Sequence, residues 1–163
     1  MKSLRIIFAM LMLAAAAIAA DPNAVKSLDA MKTLQGSWEG KDSQGRAVGV
    51  TFRMTAGDSA LMSEIQGHHP ENMISMIHMD NDRLLLTHYC GAGNQPRMQA
   101  SLSPDGKAVT FSFVDGTNIP TPESGHMQSV VFSMPDADHH TELWTFVDHG
   151  KQIQELFEMQ RRK

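Results

Sequence analysis

From Gly36 to the C-terminus, apolar and polar residues alternate in ten short runs separated by compact turns, and that period of two commits most of the chain to antiparallel β-structure. The expected strands are Gly36 to Lys41, Ala47 to Met54, Ala60 to Gly67, Asn72 to Met79, Arg83 to Cys90, Arg97 to Leu102, Ala108 to Val114, Met127 to Met134, Glu142 to Val147 and Gln152 to Gln160. Turn chemistry at Asp42-Ser-Gln-Gly45, Ala56-Gly-Asp58, Asp80-Asn-Asp82, Ser103-Pro-Asp-Gly106 and Asp148-His-Gly150 keeps consecutive strands adjacent. The result is an up-and-down meander. Left open, it would expose two long edges; closure into an all-β barrel of about ten strands removes them and encloses room for a ligand. One helix precedes the strands, expected over Ala24 to Leu34, with Val25, Leu28, Met31 and Leu34 on its apolar face and Asn23 as its cap.

Residues 1–20 read as a secretory signal peptide: Lys2 and Arg5, an apolar run from Ile6 to Ala20, and small residues at Ala17 and Ala19. The segment is too short for a stable membrane span, so residues 21–163 are expected as one exported domain, periplasmic or secreted. A formal net charge of −4 argues against nucleic acid as a partner, since phosphate binding rests on clustered Lys and Arg. Cys90 is the single cysteine and excludes an internal disulfide. It reads either as a reactive or metal-binding thiol or as a buried small hydrophobe.

The stretch from Arg83 to Met98 runs an apolar strand into a dense polar cluster, and a ligand pocket needs a few convergent polar groups on an apolar wall. Tyr89, Asn94, Gln95 and Arg97 are therefore the expected polar contacts, with the Arg97 fork suited to a carboxylate or phosphate. The competing reading is a loop bonding its own backbone, with Arg97 paired to Glu64, Glu71 or another acid. His78 and His88 are further candidates. A three-residue turn at Asp80 to Asp82 puts them on one face, where they could orient a ligand or hold a metal; a two-residue turn at Asn81-Asp82 separates them. In the last hairpin, a His149-Gly150 turn sets Phe146 opposite Ile153, Trp144 opposite Glu155 and Glu142 opposite Phe157. Glu155 then points inward as a pocket carboxylate or sits partly solvated near a rim.

Leu34-Gln-Gly36-Ser-Trp38-Glu-Gly40, after a short helix and opening the first strand, resembles the Gly-x-Trp signature of lipocalins and the wider calycin superfamily. The resemblance implies a structural role for Gly36 and Trp38, with Trp38 closing one barrel end under a basic residue from the C-terminal end, Arg161 or Arg162. Met73 to Asp80, Leu86 to Cys90 and Gly93 to Arg97 look like exported bacterial lipocalin-like proteins of largely unassigned function. A more distant likeness is to nitrobindin-type ten-stranded barrels. These bind haem through a histidine late in the chain, and no motif carries that role onto His139, His140 or His149.

The expected function is thus the holding of a small apolar or amphiphilic molecule inside the barrel, without a required cofactor, metal or stable membrane insertion. Haem binding stays open, as does a barrel hydrolase or isomerase using His88 or Glu155 as general base with Tyr89 or Arg97 in support. No nucleophile elbow, zinc-protease helix, phosphate loop or zinc-spaced cysteine set is present. Met54, Met62, Met76, Met98, Met127 and Met159 fall on strand faces, where methionine suits either pliable packing or soft-metal capture, and packing is the preferred reading. His68-His69, His139-His140 and His149 are expected in exposed loops.

Overall fold

The computed structural model describes residues 21–67 and 72–163; the leader expected over 1–20 and the His68-His69 pair lie outside the described residues. Ten antiparallel strands close into a barrel in which every neighbour is sequential and β1 meets β10. The strands are β1 (Gly36–Asp42), β2 (Ala47–Thr55), β3 (Ala60–Gln66), β4 (Met73–Asp80), β5 (Arg83–Tyr89), β6 (Gln95–Leu102), β7 (Ala108–Thr117), β8 (His126–Ser133), β9 (His139–Asp148) and β10 (Lys151–Arg161), preceded by α1 (Pro22–Lys32). No helix among the described residues is long and apolar enough to cross a membrane.

The helix differs from expectation in cap and face. Asp21 caps it, accepting from the Asn23 backbone N–H, and Pro22 occupies the first turn, where its missing N–H costs nothing. Met31 and Leu34 of the expected face are buried and Leu28 packs on the core, but Val25 is exposed and Ala24 and Ser27 are buried in its place as the helix packs on β4 to β7. β6 starts at Gln95, two residues before the expected Arg97. Pro96 is tolerated there because β5 pairs with β6 only from Thr87↔Arg97 onward. His140 is also corrected: it is no loop residue but lies buried on the inner face of β9.

Inward-facing residues fill the barrel from the helix end. Ring contacts run from Trp38 to His140 (4.3 Å), His140 to Phe52 (5.8 Å), Phe52 to Phe132 (6.1 Å), Phe132 to Trp144 (6.2 Å) and Trp144 to His88 (4.9 Å). Aliphatic side chains of Leu61, Ile77, Leu86, Met98 and Val130 pack round this column with essentially no exposure. Most of the interior is therefore a packed core. Three of its polar-bearing members form a network: the Glu142 carboxylate accepts from Trp144 Nε1 at 2.9 Å and pairs with His140 Nε2 at 3.0 Å.

Trp38 and Arg161 close the helix end. The Trp38 indole N–H donates to the Leu34 carbonyl at 2.7 Å, and the Arg161 guanidinium lies 4.1 Å from its ring centroid. Arg161 also donates to the carbonyls of Thr33, Gln35 and Ala137, which ties the last strand to the helix exit. Gly36 has φ +123°, and a Cβ there would press to 3.1 Å from the same guanidinium. Arg162 instead pairs with Glu39 on the outside. At the β1–β10 seam a Cβ on Gly40 would come within 1.9 Å of the Glu158 carbonyl oxygen, so the closing strands approach as closely as only glycine permits.

We expect Arg161→Ala to lower unfolding free energy by about 2 kcal/mol in urea titrations, through loss of the stacked cation and its carbonyl contacts. Arg161→Lys restores only part of that loss, because an ammonium cannot span three carbonyls. Equal stability of Arg161→Ala and the parent chain would show that the plug is unimportant.

Candidate functional site

At the opposite end, where β5, β7 and β9 finish, the column stops and a cavity of about 410 Å³ opens. Met73, Cys90, Gly91, Ala92, Met127, Phe146, Ile153 and Glu155 line it. The alternation of β5 carries His88 and then Cys90 along one inner face, so the side chain below Cys90 is a histidine and the next above it is the cavity wall. Larger hollows of about 600, 660 and 450 Å³ lie between α1 and the β6–β7 turn, along β1, β9 and β10, and beside the β7–β8 connection. Polar and charged side chains dominate the first, while the second, lined in part by Val48, His140 and Met159, and the third are more open than the mouth. The mouth cavity is a mainly apolar hollow at the open end of the packed column, an arrangement ligand sites favour.

The Cys90 turn is fixed by its own backbone and by one amide. Cys90 N–H donates to the Asn94 carbonyl at 3.1 Å and Gly93 N–H to the Cys90 carbonyl at 2.9 Å. Buried Asn94 donates through Nδ2 to the Gly125 carbonyl at 2.6 Å, binding this turn to the β7–β8 connection. Gln95 accepts from Thr117 Oγ1 at 2.5 Å. Asn94 and Gln95 thus build the rim rather than face the cavity. Burial pushes the Cys90 thiol above its ordinary pKa, with a backbone hydrogen bond from Ala92 pulling against it.

Tyr89 and Arg97 face outward. Tyr89 is about half exposed (49 %), and Arg97 makes a two-pronged pair with Asp115 at 2.5 and 2.6 Å on the outer wall. The cause is a bulge. β7 supplies Val114 and Asp115 where β6 passes from Met98 to Arg97, leaving Val114 unpaired and turning Asp115 out against the guanidinium. The acid on Arg97 is therefore one that the regular alternation of β7 would have placed inside.

Asp80 pairs with Arg83 across a two-residue Asn81-Asp82 turn, so His78 lies on the outer face and His88 on the inner one. His88 is wholly buried, its Nδ1 is 2.9 Å from Ser75 Oγ, and its Nε2 has no hydrogen-bond partner among the described residues. Burial lowers its pKa to about 4, so the ring is neutral under ordinary conditions. Ser63, opposite Ser75 in the β3–β4 ladder, also has a buried, unpartnered hydroxyl. A polar layer of Ser63, Ser75 and His88 thus lies beneath the mouth.

Glu155 stands opposite Trp144 as the hairpin register requires. It reaches the cavity wall rather than the deep core, and its carboxylate meets Arg46 Nη2 at 2.6 Å. Arg46 also bonds Asp42 through Nε. Burial works to raise the Asp42 pKa, but the Arg46 side chain and the Arg46 and Gln44 backbone N–H groups together hold it at about 2. The deep interior carboxylate is Glu142, which was not among the expected site residues. Its signal is the inward-facing sequence His140-x-Glu142-x-Trp144, one residue type at each alternate position of β9.

The late histidines differ in what they offer an iron atom. His126 uses both ring nitrogens, on the Ser124 carbonyl and Gln128, while His140 is sealed between Trp38 and Phe52. His139 and His149 are exposed and paired with Asp136 and Asp148. Among the described residues no group of three His, Cys, Asp or Glu side chains converges as a metal site would require.

No family model matches the chain. No curated protein matches it either. Among solved structures it is similar to Rv2717c from M. tuberculosis, with 15% identity, a TM-score of 0.55, and coverage of 88% of this chain and 99% of that one. It is also similar to a protein of unknown function of the DUF3598 family from Nostoc punctiforme, with 12% identity and a TM-score of 0.54. That match covers 82% of this chain and 49% of the other, so the present barrel corresponds to about half of the larger protein. At these identities the likeness is one of fold.

The buried neutral His88 makes stability depend on pH. As pH falls, the unfolded chain takes up this proton near 6.5, the folded one near 4, so the contribution is complete above 6.5 and lost between those values. The loss amounts to about 3 kcal/mol. Urea unfolding at pH 7.5, 5.5 and 4.5 should show it, and His88→Gln should flatten the difference over that window. An unchanged pH profile in His88→Gln would refute the assignment.

Proposed function

We propose that the chain is an exported calycin-like barrel that binds one small apolar or amphiphilic molecule at its mouth. The observation that carries the reading is the apolar hollow of about 410 Å³ between a filled core and solvent. Met73, Met127, Phe146 and Ile153 supply adaptable apolar contact, and the Arg46–Glu155 pair stands where a polar end would emerge. Ile153 is 59 % exposed at the lip, an apolar side chain left to water that an occupant would cover. The cavity volume fits a compact molecule, because the aromatic column excludes a long chain from the deeper barrel.

The expected polar anchors change accordingly. Cys90, Glu155 and Arg46 replace Tyr89 and Arg97 as the contacts for the ligand's polar end, while Asn94 and Gln95 hold the rim in shape. Catalysis by His88 would require its free nitrogen to meet substrate, whereas the ring is wholly buried and does not line the mouth cavity.

Titration with N-phenyl-1-naphthylamine tests the reading by fluorescence. One saturable site is expected, weakened at least about tenfold when Ala92→Trp or Met127→Trp fills the hollow, and unaffected by Arg97→Ala on the outer wall. Binding that survives both filling substitutions, or that fails in Arg97→Ala with the fold intact, would rule the mouth out.

A further inference from the structure

We propose that the mouth takes a planar, fused-ring aromatic molecule stacked on Phe146, and that Gly125 sets how far that ring stands into the hollow. The proposal rests on the mouth-binding reading and names the chemistry of its occupant. Recorded registers set Met127 of β8 opposite Phe146 of β9, and Phe146 opposite Ile153 of β10. All three line the hollow, so three adjacent strands present one apolar wall. β4, which carries Met73, stands five steps from β9 in either direction round the ring of ten strands. Met73 and the Cys90-Gly91-Ala92 turn therefore form the wall across from it, and the small residues Gly91 and Ala92 keep that wall low.

Phe146 is the ring this arrangement leaves without company. Trp38, Phe52, Phe111, Phe132 and Trp144 each have a ring neighbour in the column, whereas Phe146 has none among the described residues. Its backing is the β7–β8 connection instead. A Cβ at Gly125 would stand 2.9 Å from Phe146 Cζ and 3.2 Å from Asp148 Oδ1, and the φ of Gly125 lies outside the left-handed region, so the missing side chain serves this contact. The Gly125 carbonyl accepts from Asn94 Nδ2 at 2.6 Å, and the Glu123 carbonyl accepts from the His149 N–H at 3.0 Å. One connection thus braces Phe146 on one side of the mouth and the Cys90 turn on the other.

The lining selects the ligand. A phenyl ring gains from offset or edge contact with a second ring, and thioether sulfur is drawn to ring edges, which Met73 and Met127 supply from opposed walls. A braced wall loses little freedom when a rigid ligand fits it. A flexible chain gives up its own rotamers on binding and gains neither contact. A single polar substituent on the ring then meets the Arg46–Glu155 pair at the edge of the hollow.

Competition against N-phenyl-1-naphthylamine separates this class from hydrophobicity alone. The competitors are 1-naphthol, decahydro-1-naphthol and 1-decanol, which share a carbon count and one hydroxyl but differ in flatness and stiffness. Transfer from water favours the decanol, because it exposes the most apolar surface. With inhibition constants corrected for the probe's own affinity in each variant, 1-naphthol is expected to bind about tenfold tighter than either competitor. Phe146→Leu erases that preference. Gly125→Ala pushes the ring into the hollow and weakens 1-naphthol about tenfold, an effect that shrinks to about twofold in the Phe146→Leu background, where the colliding ring atoms are gone. Equal binding of all three competitors, or a naphthol preference that persists in Phe146→Leu, overturns the aromatic class and leaves mouth binding standing. A Gly125→Ala penalty of one size in both backgrounds, or none in either, overturns the role of Gly125. Failure of the probe to bind at all removes the mouth reading and this inference together. Thermal melting of each variant separates a lost site from a lost fold.

Discussion

The barrel's usable space is set by the column of rings that occupies its centre. Trp38, His140, Phe52, Phe132, Trp144 and His88 follow one another at centroid separations of 4.3 to 6.2 Å, and aliphatic residues fill the gaps. Each large ring buried here contributes through lost water contact and edge-to-face packing. A ten-stranded circumference is wide enough to leave a through-going cavity, so it is these side chains, and not strand number, that confine the hollow to one end. The plug of Trp38 under Arg161 makes the other end solid and leaves the hollow open at one end.

Closure depends on the same economy of space at the seam. Gly40 lets β1 and β10 approach until a methyl group would collide with the Glu158 carbonyl, and Arg161 immediately beyond fastens the last strand to the residues that lead into the first. The chain ends are thereby joined without covalent help, as they must be when Cys90 has no partner cysteine. The fold then leaves its cavity at the other end, between the Cys90 turn and the β9–β10 hairpin.

Much of this was legible because antiparallel pairing is read from period and turn length. All ten strands stand within three residues of where alternation places them, and the β9–β10 register follows from the His149-Gly150 turn alone, both residues adopting the positive φ that such a turn demands. The Asn81-Asp82 turn likewise decides that His78 and His88 part company. What stayed hidden were features that break the period or add depth. The Val114 bulge turns Asp115 outward, so alternation alone could not find Arg97's partner. His140 followed a turn-like Pro-Asp-Ala-Asp segment and read as loop, although strand β9 begins at His139. The height of Glu155 above the core depends on how neighbouring strands are staggered, a property of the closed barrel that no single hairpin carries.

The buried polar groups differ in how fully they are partnered. Glu142, His140 and Trp144 bond one another in the core, where Glu142 has both carboxylate oxygens engaged while His140 Nδ1 has no hydrogen-bond partner among the described residues. Removing one member would strand the others in a low-dielectric interior, so the network fixes a single arrangement of β9 whatever its net stability. Ser63 and His88, nearer the mouth, and Asn94 in the rim turn likewise keep an atom with no hydrogen-bond partner among the described residues. A core under selection for stability alone would replace such groups with aliphatic side chains at little cost. Those of Ser63 on β3 and His88 on β5 lie one layer beneath the open cavity, where the packed column gives way to solvent.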